Sequence, residues 1–220
     1  MDLKEIILET HSINDLKNYY ADILELDITA AGNNSIVIKA GSTYIKFLES
    51  SNKKDKPFYH FAFNIPENQF REAKEWISSK VQLIKLDGED EFDFKSWNAH
   101  SIYFYDIAGN IIELIARHNL KNRSDEKFSG RSLLNVSEMG LPVKDVQNFY
   151  TKLKESFDIP LFSGDLKTFT AAGDENGLFI IVPVGRKWFP DCPEAKIYPA
   201  TMNIISKNER VLEHNGYTIS

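Results

Sequence analysis

Glu113 stands in the run Ile111-Ile-Glu-Leu-Ile115, which is otherwise apolar enough to form a buried strand. A carboxylate buried there alone costs several kcal/mol, so it needs a metal ion, a cationic side chain or a proton. Two further groups head comparable strands, His60 in His60-Phe-Ala-Phe-Asn64 and Glu5 in Glu5-Ile-Ile-Leu-Glu9. Side chains alternate faces along a strand. Ile6, Leu8, Phe61, Phe63, Ile112 and Leu114 therefore form one apolar face that takes the helices. Glu5, Glu9, His60, Asn64 and Glu113 share the other face, which is expected to wrap a polar ligand site. On the strand before Glu113, His100 is a candidate for proton transfer or substrate hydrogen bonds. Singly, each residue has a plain structural role: a core histidine at 60, Glu113 neutralised by Arg117 or Lys46, a solvated Glu5, His100 packed on Trp97. Their shared face is what favours a site.

The elements that must carry these residues recur. Strand Glu5–Thr10, an amphipathic helix Ile13–Leu24 opened by Ser12, and strands Ser35–Ile38 and Thr43–Leu48 form a first unit. Strand Tyr59–Ile65, helix Gln69–Ser79, strand Gln82–Leu86 and a hairpin about Asp106–Asn110 form a second, with Asp, Gly and Asn as turn residues. After a polar stretch, strand Leu134–Val143, helix Val146–Ser156 and strands near Thr168–Ala172, Leu178–Val182 and Ala200–Ile205 make a third. Glu138 takes the place of Glu5 and His60 there, but Ile181 stands where Glu113 would, so a second complete site is not expected. The third unit should pack on the first two, or on its twin in a homodimer, in a structural or pocket-closing role. The acidic run Asp87–Phe94 lacks calcium-loop spacing and reads as a solvated loop or lid.

The 220 residues carry a net charge of −6 and no Lys/Arg cluster, which argues against a nucleic-acid partner. The charged residues of Met1-Asp-Leu-Lys-Glu5 do not suit a signal peptide, and no apolar run spans a bilayer. A cytoplasmic protein with no membrane partner is expected. The single Cys192 rules out an internal disulfide and any multi-cysteine metal site, and it reads as a structural loop thiol.

The segment Tyr103-Phe-Tyr-Asp-Ile-Ala-Gly-Asn-Ile-Ile-Glu-Leu114, with Phe58-Tyr-His-Phe-Ala-Phe63 and Asn18-Tyr-Tyr-Ala-Asp-Ile-Leu-Glu-Leu26, resembles the vicinal oxygen chelate superfamily. That group includes glyoxalase I, extradiol ring-cleaving dioxygenases and the fosfomycin and bleomycin resistance proteins. The resemblance covers roughly the first 117 residues well and the rest loosely. It implies an α+β fold in which repeated βαβββ units form a half-open mixed-sheet barrel around one divalent metal. The chain then divides into a two-unit metal-binding domain (1–117), a linker (118–132), a third βαβββ-like unit (133–206) and a C-terminal tail (207–220). Carried over by position, the ligands are Glu5, His60 and Glu113, with iron, manganese, nickel and zinc not distinguished. Glyoxalase I draws a fourth ligand from a strand where this chain has Ile45 and Lys46, which departs from that activity. Tyr103 keeps the ten-residue spacing to Glu113 seen in extradiol dioxygenases, which implies that it joins His100 as a candidate for proton transfer or substrate hydrogen bonds, but Ile107 replaces their proline. The implied function is metal-dependent isomerase, lyase or ring-cleaving dioxygenase chemistry on a small oxygenated substrate. The alternative is a metal-free small-molecule binding or resistance protein of the same fold.

Overall fold

A computed structural model describes residues 1–206 and 210–220. The first unit comprises β1 (Asp2–Thr10), α1 (Ile13–Asn18), β2 (Asp27–Ala31), β3 (Ser35–Ala40) and β4 (Thr43–Glu49). The second has β5 (His60–Ile65), α2 (Phe70–Ser78), β6 (Phe92–Phe94), β7 (Ala99–Tyr105) and β8 (Ile111–Arg117). The third has β9 (Asn135–Val143), α3 (Val146–Phe157), β10 (Leu161–Gly164), β11 (Thr170–Asp174) and β12 (Gly177–Pro183). Three more strands follow, β13 (Ala200–Ile205), β14 (Leu212–His214) and β15 (Tyr217–Ile219). The expected helix Ile13–Leu24 changes winding at Tyr19 and continues to Ile23 as a π-helical turn. The expected strand Gln82–Leu86 is reduced to isolated bridges at Leu83 and Leu86, and a short strand, β6, forms inside the acidic run.

Two sheets result, and their membership differs from the expected pairing of units. One runs β14-β15-β13-β1-β4-β3-β2, the other β10-β11-β12-β9-β5-β8-β7-β6. The second unit thus pairs with the third through β5 and β9, and the first pairs with β13–β15 through β1 and β13. The C-terminal stretch expected as a tail supplies β14 and β15, apart from 207–209, which lie outside the described residues. With β13 these strands repeat the outer ladder of a βαβββ unit, β15 parallel to β13 and antiparallel to β14, so they amount to an abbreviated fourth unit.

The apolar faces of both sheets share one core. Ile6, Leu8 and Phe47 of the first sheet join Phe61, Phe63, Leu114 and Met139 of the second, with Leu16 of α1, Ile77 of α2 and Leu153 of α3 around them. The polar faces consequently turn outward, away from each other. The third unit is tied to the first by the β3–β4 turn. A Cβ at Gly41 would overlap the Leu134 carbonyl, which accepts from Ser42 N at 2.9 Å.

The turn between β7 and β8 sets the register of the strand that carries Glu113. Asp106 Oδ1 accepts from the backbone N–H groups of Ala108 and Asn110, both at 2.9 Å. Its Oδ2 accepts from Asn110 Nδ2 at 2.7 Å and from the Tyr20 hydroxyl at 3.0 Å. Asn110 Oδ1 then accepts from Tyr59 N at 2.9 Å, which locks β8 beside β5. Gly109, at φ 89°, supplies the left-handed backbone that this turn needs.

Candidate functional site

Three adjacent strands bring His60, Glu113 and Glu138 together. On β5, Ala62 is paired with Glu113 of β8 on one side and with Glu138 of β9 on the other. The two carboxylates therefore flank an alanine, whose short side chain leaves room between them, and His60 lies two residues along on the same face. All three are buried, with exposures of 6, 2 and 3% in chain order. One donor atom from each lies within 4.8 Å of the others.

His60 Nδ1 sits 3.2 Å from the Ile111 carbonyl oxygen, which can only accept, so Nδ1 carries the proton and Nε2 offers a lone pair. Nε2 is 3.6 Å from Glu113 Oε2, too far for a hydrogen bond. Burial, helped by the Arg186 charge, lowers the imidazole pKa to about 4, so the ring is neutral near pH 7. For Glu113, burial first and then the Glu138 charge push the carboxyl well above its usual range. Burial also raises Glu138, opposed by the guanidinium of Arg117. Arg117 is fully buried. Its Nη2 donates to Glu138 Oε1, its Nε donates to Asn64 Oδ1 at 3.2 Å, and its guanidinium lies over Trp97. Arg117 Nη1 has no hydrogen-bond partner among the described residues.

A neutral imidazole and two carboxylates clustered in this way are donors that would suit one divalent ion. Arg117 occupies one oxygen of Glu138, whose carboxylate lines the cavity above the trio. Without a cation, two buried carboxylates would share the charge of a single arginine, and one would have to hold a proton.

Above the trio lies a cavity of about 320 Å³ walled by Phe94, Trp97, Tyr103, Phe169, Trp188 and Phe189. Gly140, beside His60 on β9, makes this wall possible. A Cβ there would come within 2.6 Å of the Trp188 ring, which packs against His60 at a centroid distance of 5.1 Å.

Of the expected site residues, the structure brings together His60, Glu113 and Tyr103. Tyr103 is paired with Glu113 across the β7–β8 ladder and lines the cavity. Burial, reinforced by the Glu113 charge, raises its phenol pKa well above 10 and keeps it a proton donor. His100 is not at the site. It lies three positions from Tyr103 on the same strand and so faces the other way, with its ring 5.4 Å from Phe70 of α2 and Nδ1 2.8 Å from His118 Nε2. Glu5 is also elsewhere, because β1 belongs to the other sheet; its Oε2 accepts from Asn203 Nδ2 at 2.7 Å. Glu138 takes the third place instead. The likeness between its strand start and that of His60 was a usable signal. Ladder register also assigns the Glu113-equivalent of the third unit to Ile180, one residue before the position expected. Arg186 and Trp188 gave no sequence signal, because they sit in an irregular segment after β12.

No protein-family model matches the chain. A metallothiol transferase FosB from Staphylococcus epidermidis is 28% identical over 118 residues, 51% of this chain and 80% of that protein. A second FosB from the same species is 30% identical over 112 residues, covering 48% of this chain and 78% of its own length. Among solved structures, one from Bacillus subtilis superposes on 93% of this chain and 70% of its own with a TM-score of 0.63 at 11% identity. A mutant of glyoxalase I from Zea mays covers 99% of this chain and 90% of its own with a TM-score of 0.61 at 10% identity, a likeness of fold. With its repeated βαβββ units, its half-barrel and these sequence relatives, the chain belongs to the vicinal oxygen chelate superfamily.

Proposed function

We propose that the chain is a divalent-metal-dependent enzyme acting on a small oxygenated substrate, with His60, Glu113 and Glu138 as the protein ligands. The observation that carries this reading is the clustering of the three buried donors beneath an aromatic-walled cavity. The name of the sequence relatives, metallothiol transferase, supports it. A bound ion would polarise a substrate oxygen as a Lewis acid and stabilise charge developing on it. The chain's own residues do the rest. Ala62 leaves room between the carboxylates, Arg117 fixes the orientation of Glu138, and Tyr103, a phenol that burial keeps protonated, donates to Glu113 at the cavity wall. Phe94, Trp188 and Phe189 exclude water from the reacting end. Both halves of the site come from one chain, so this reading needs no second copy. Isomerase, lyase, dioxygenase and group-transfer chemistry all fit such a site.

The Arg117–Glu138 pair favours a second reading. It already neutralises one carboxylate, and a proton on Glu113 would complete a metal-free pocket that only binds its ligand. Elemental analysis of protein purified without added metal, beside His60→Ala and Glu113→Ala, separates the two. The metal reading expects stoichiometric metal in the parent protein and its loss in both variants. No metal, together with a Glu113→Gln variant that keeps ligand binding, would sink it.

A further inference from the structure

Arg186 is the unpaired charge of the cavity. It lines the same space as His60, Glu113 and Glu138, and it is half-buried at the rim while they are buried below. Among the described residues its guanidinium has no hydrogen-bond or salt-bridge partner. Its Cζ lies 5.6 Å from the centre of the Phe169 ring, and its charge is felt by His60 and by the exposed carboxylate of Asp165. Asp165 is itself engaged, accepting from Thr168 Oγ1 at 2.6 Å and from the backbone N–H groups of Lys167 and Thr168. Arg117, the other arginine near the trio, is by contrast buried and committed to Glu138 and Asn64. Partly desolvating a guanidinium beside an apolar wall is costly unless something anionic completes it.

We infer that Arg186 binds the anionic group of the substrate, and that the substrate is a single-ring aromatic acid. This rests on the reading of the cavity as the active site. A guanidinium presents parallel N–H donors that match a carboxylate in two-point geometry, which gives direction as well as strength. The walls decide the body of the ligand. Trp97, Trp188 and Phe169 offer flat faces, and about 320 Å³ is near the lower end of small-molecule pockets, room for one ring with its substituents. An acid seated with its carboxylate on Arg186 would carry the rest of its ring toward His60 and the two glutamates, where ring oxygens would meet the ion. A small aliphatic anion would use the arginine and leave the aromatic walls unfilled.

The test uses benzoate, its neutral counterpart benzamide, and propylphosphonate as an aliphatic anion. Binding to the full chain is followed by calorimetry, with the protein stripped of metal and again after loading with Mn²⁺. Benzoate is expected to bind the stripped protein at least about tenfold more tightly than benzamide, and Arg186→Gln to erase that preference. In the variant benzamide should bind about as tightly as benzoate, the thermal midpoint should not fall, and Mn²⁺ should bind at least as tightly as in the parent, because a positive charge felt by His60 is removed. Equal binding of benzoate and benzamide, or a preference that survives Arg186→Gln, overturns the inference. Tighter binding of propylphosphonate than of benzoate overturns its aromatic part. The metal reading fails separately: absence of Mn²⁺ uptake with an Arg186-dependent preference in the stripped protein removes that reading and leaves this one standing.

Discussion

The half-barrel of the second and third units and the half-barrel of the first unit with β13–β15 are laid out on the same ladder. In one, Ala62 of β5 pairs with Glu113 and Glu138; in the other, Ile7 of β1 pairs with Lys46 of β4 and Thr201 of β13. Glu5, Lys46 and Thr201 are therefore the counterparts of His60, Glu113 and Glu138. A carboxylate, an ammonium and a hydroxyl in place of an imidazole and two carboxylates make a poor cation site. The surroundings differ as much. The first set is half-exposed, with Tyr44 and Ile205 at 41 and 54% exposure on the same sheet. The second is roofed by Phe94 from β6 and by Trp188 and Phe189 from the segment after β12. One backbone plan thus yields a solvated sheet face or a closed pocket, according to what covers it and which three residues the register selects.

That contrast can be attacked first at its charges. Arg117→Met strands the buried carboxylate of Glu138 and is expected to destabilise the fold by about 3–5 kcal/mol in denaturant unfolding. Lys46→Met on the open half should cost no more than about 0.5 kcal/mol. Similar losses in the two variants would mean that burial of charge does not distinguish the halves.

The next effect is on pH. The folded pKa of His60, about 4, lies below the value of about 6.5 for a free imidazole. Above that free value the ring is neutral in both states and has no effect. As pH falls from there toward 4, the unfolded chain takes up a proton that the folded chain refuses, so stability drops. Metal-stripped protein should lose on the order of 2–3 kcal/mol from this group across that window. His60→Gln should flatten the corresponding part of the profile, measured as unfolding free energy against pH.

A smaller effect tests the roof. Gly140→Ala must displace Trp188 and is expected to cost about 1–3 kcal/mol, with a red-shifted tryptophan emission. Asn203→Ala, at the matching place on β13, should cost about 1 kcal/mol and leave the emission unchanged. Smallest of all is Glu5→Gln, which keeps an acceptor for Asn203 and should shift stability by less than about 0.5 kcal/mol, with metal content unaltered. Metal lost in this variant would return Glu5 to the site.

Much of this was legible beforehand. The parity of β5 and β8 placed His60, Asn64 and Glu113 on one face, and the Asp106–Asn110 turn was readable from its residue types. Parity could also have excluded His100, because an odd separation from Tyr103 puts it on the opposite face. The short strands β2, β10, β14 and β15 were missed; each has only three to five residues and owes its place to a neighbouring strand. The π-helical turn at Tyr19 and the conversion of part of the acidic run into β6 had no visible local cause.

By itself the sequence determined which side chains share a face, since the alternation of a strand follows from backbone geometry whatever lies beside it. It also determined that Glu113 needed a partner. Only the tertiary structure decided that the partner strand is β9, so that Glu138 completes the trio and Glu5 is left on the other sheet. The edge of β5 could have paired with β1 or β9, because both have apolar alternation and a polar residue at the same place. The choice rested on contacts far apart in the chain: the shared core, the Gly41–Leu134 junction, and the return of β13 to cover β1.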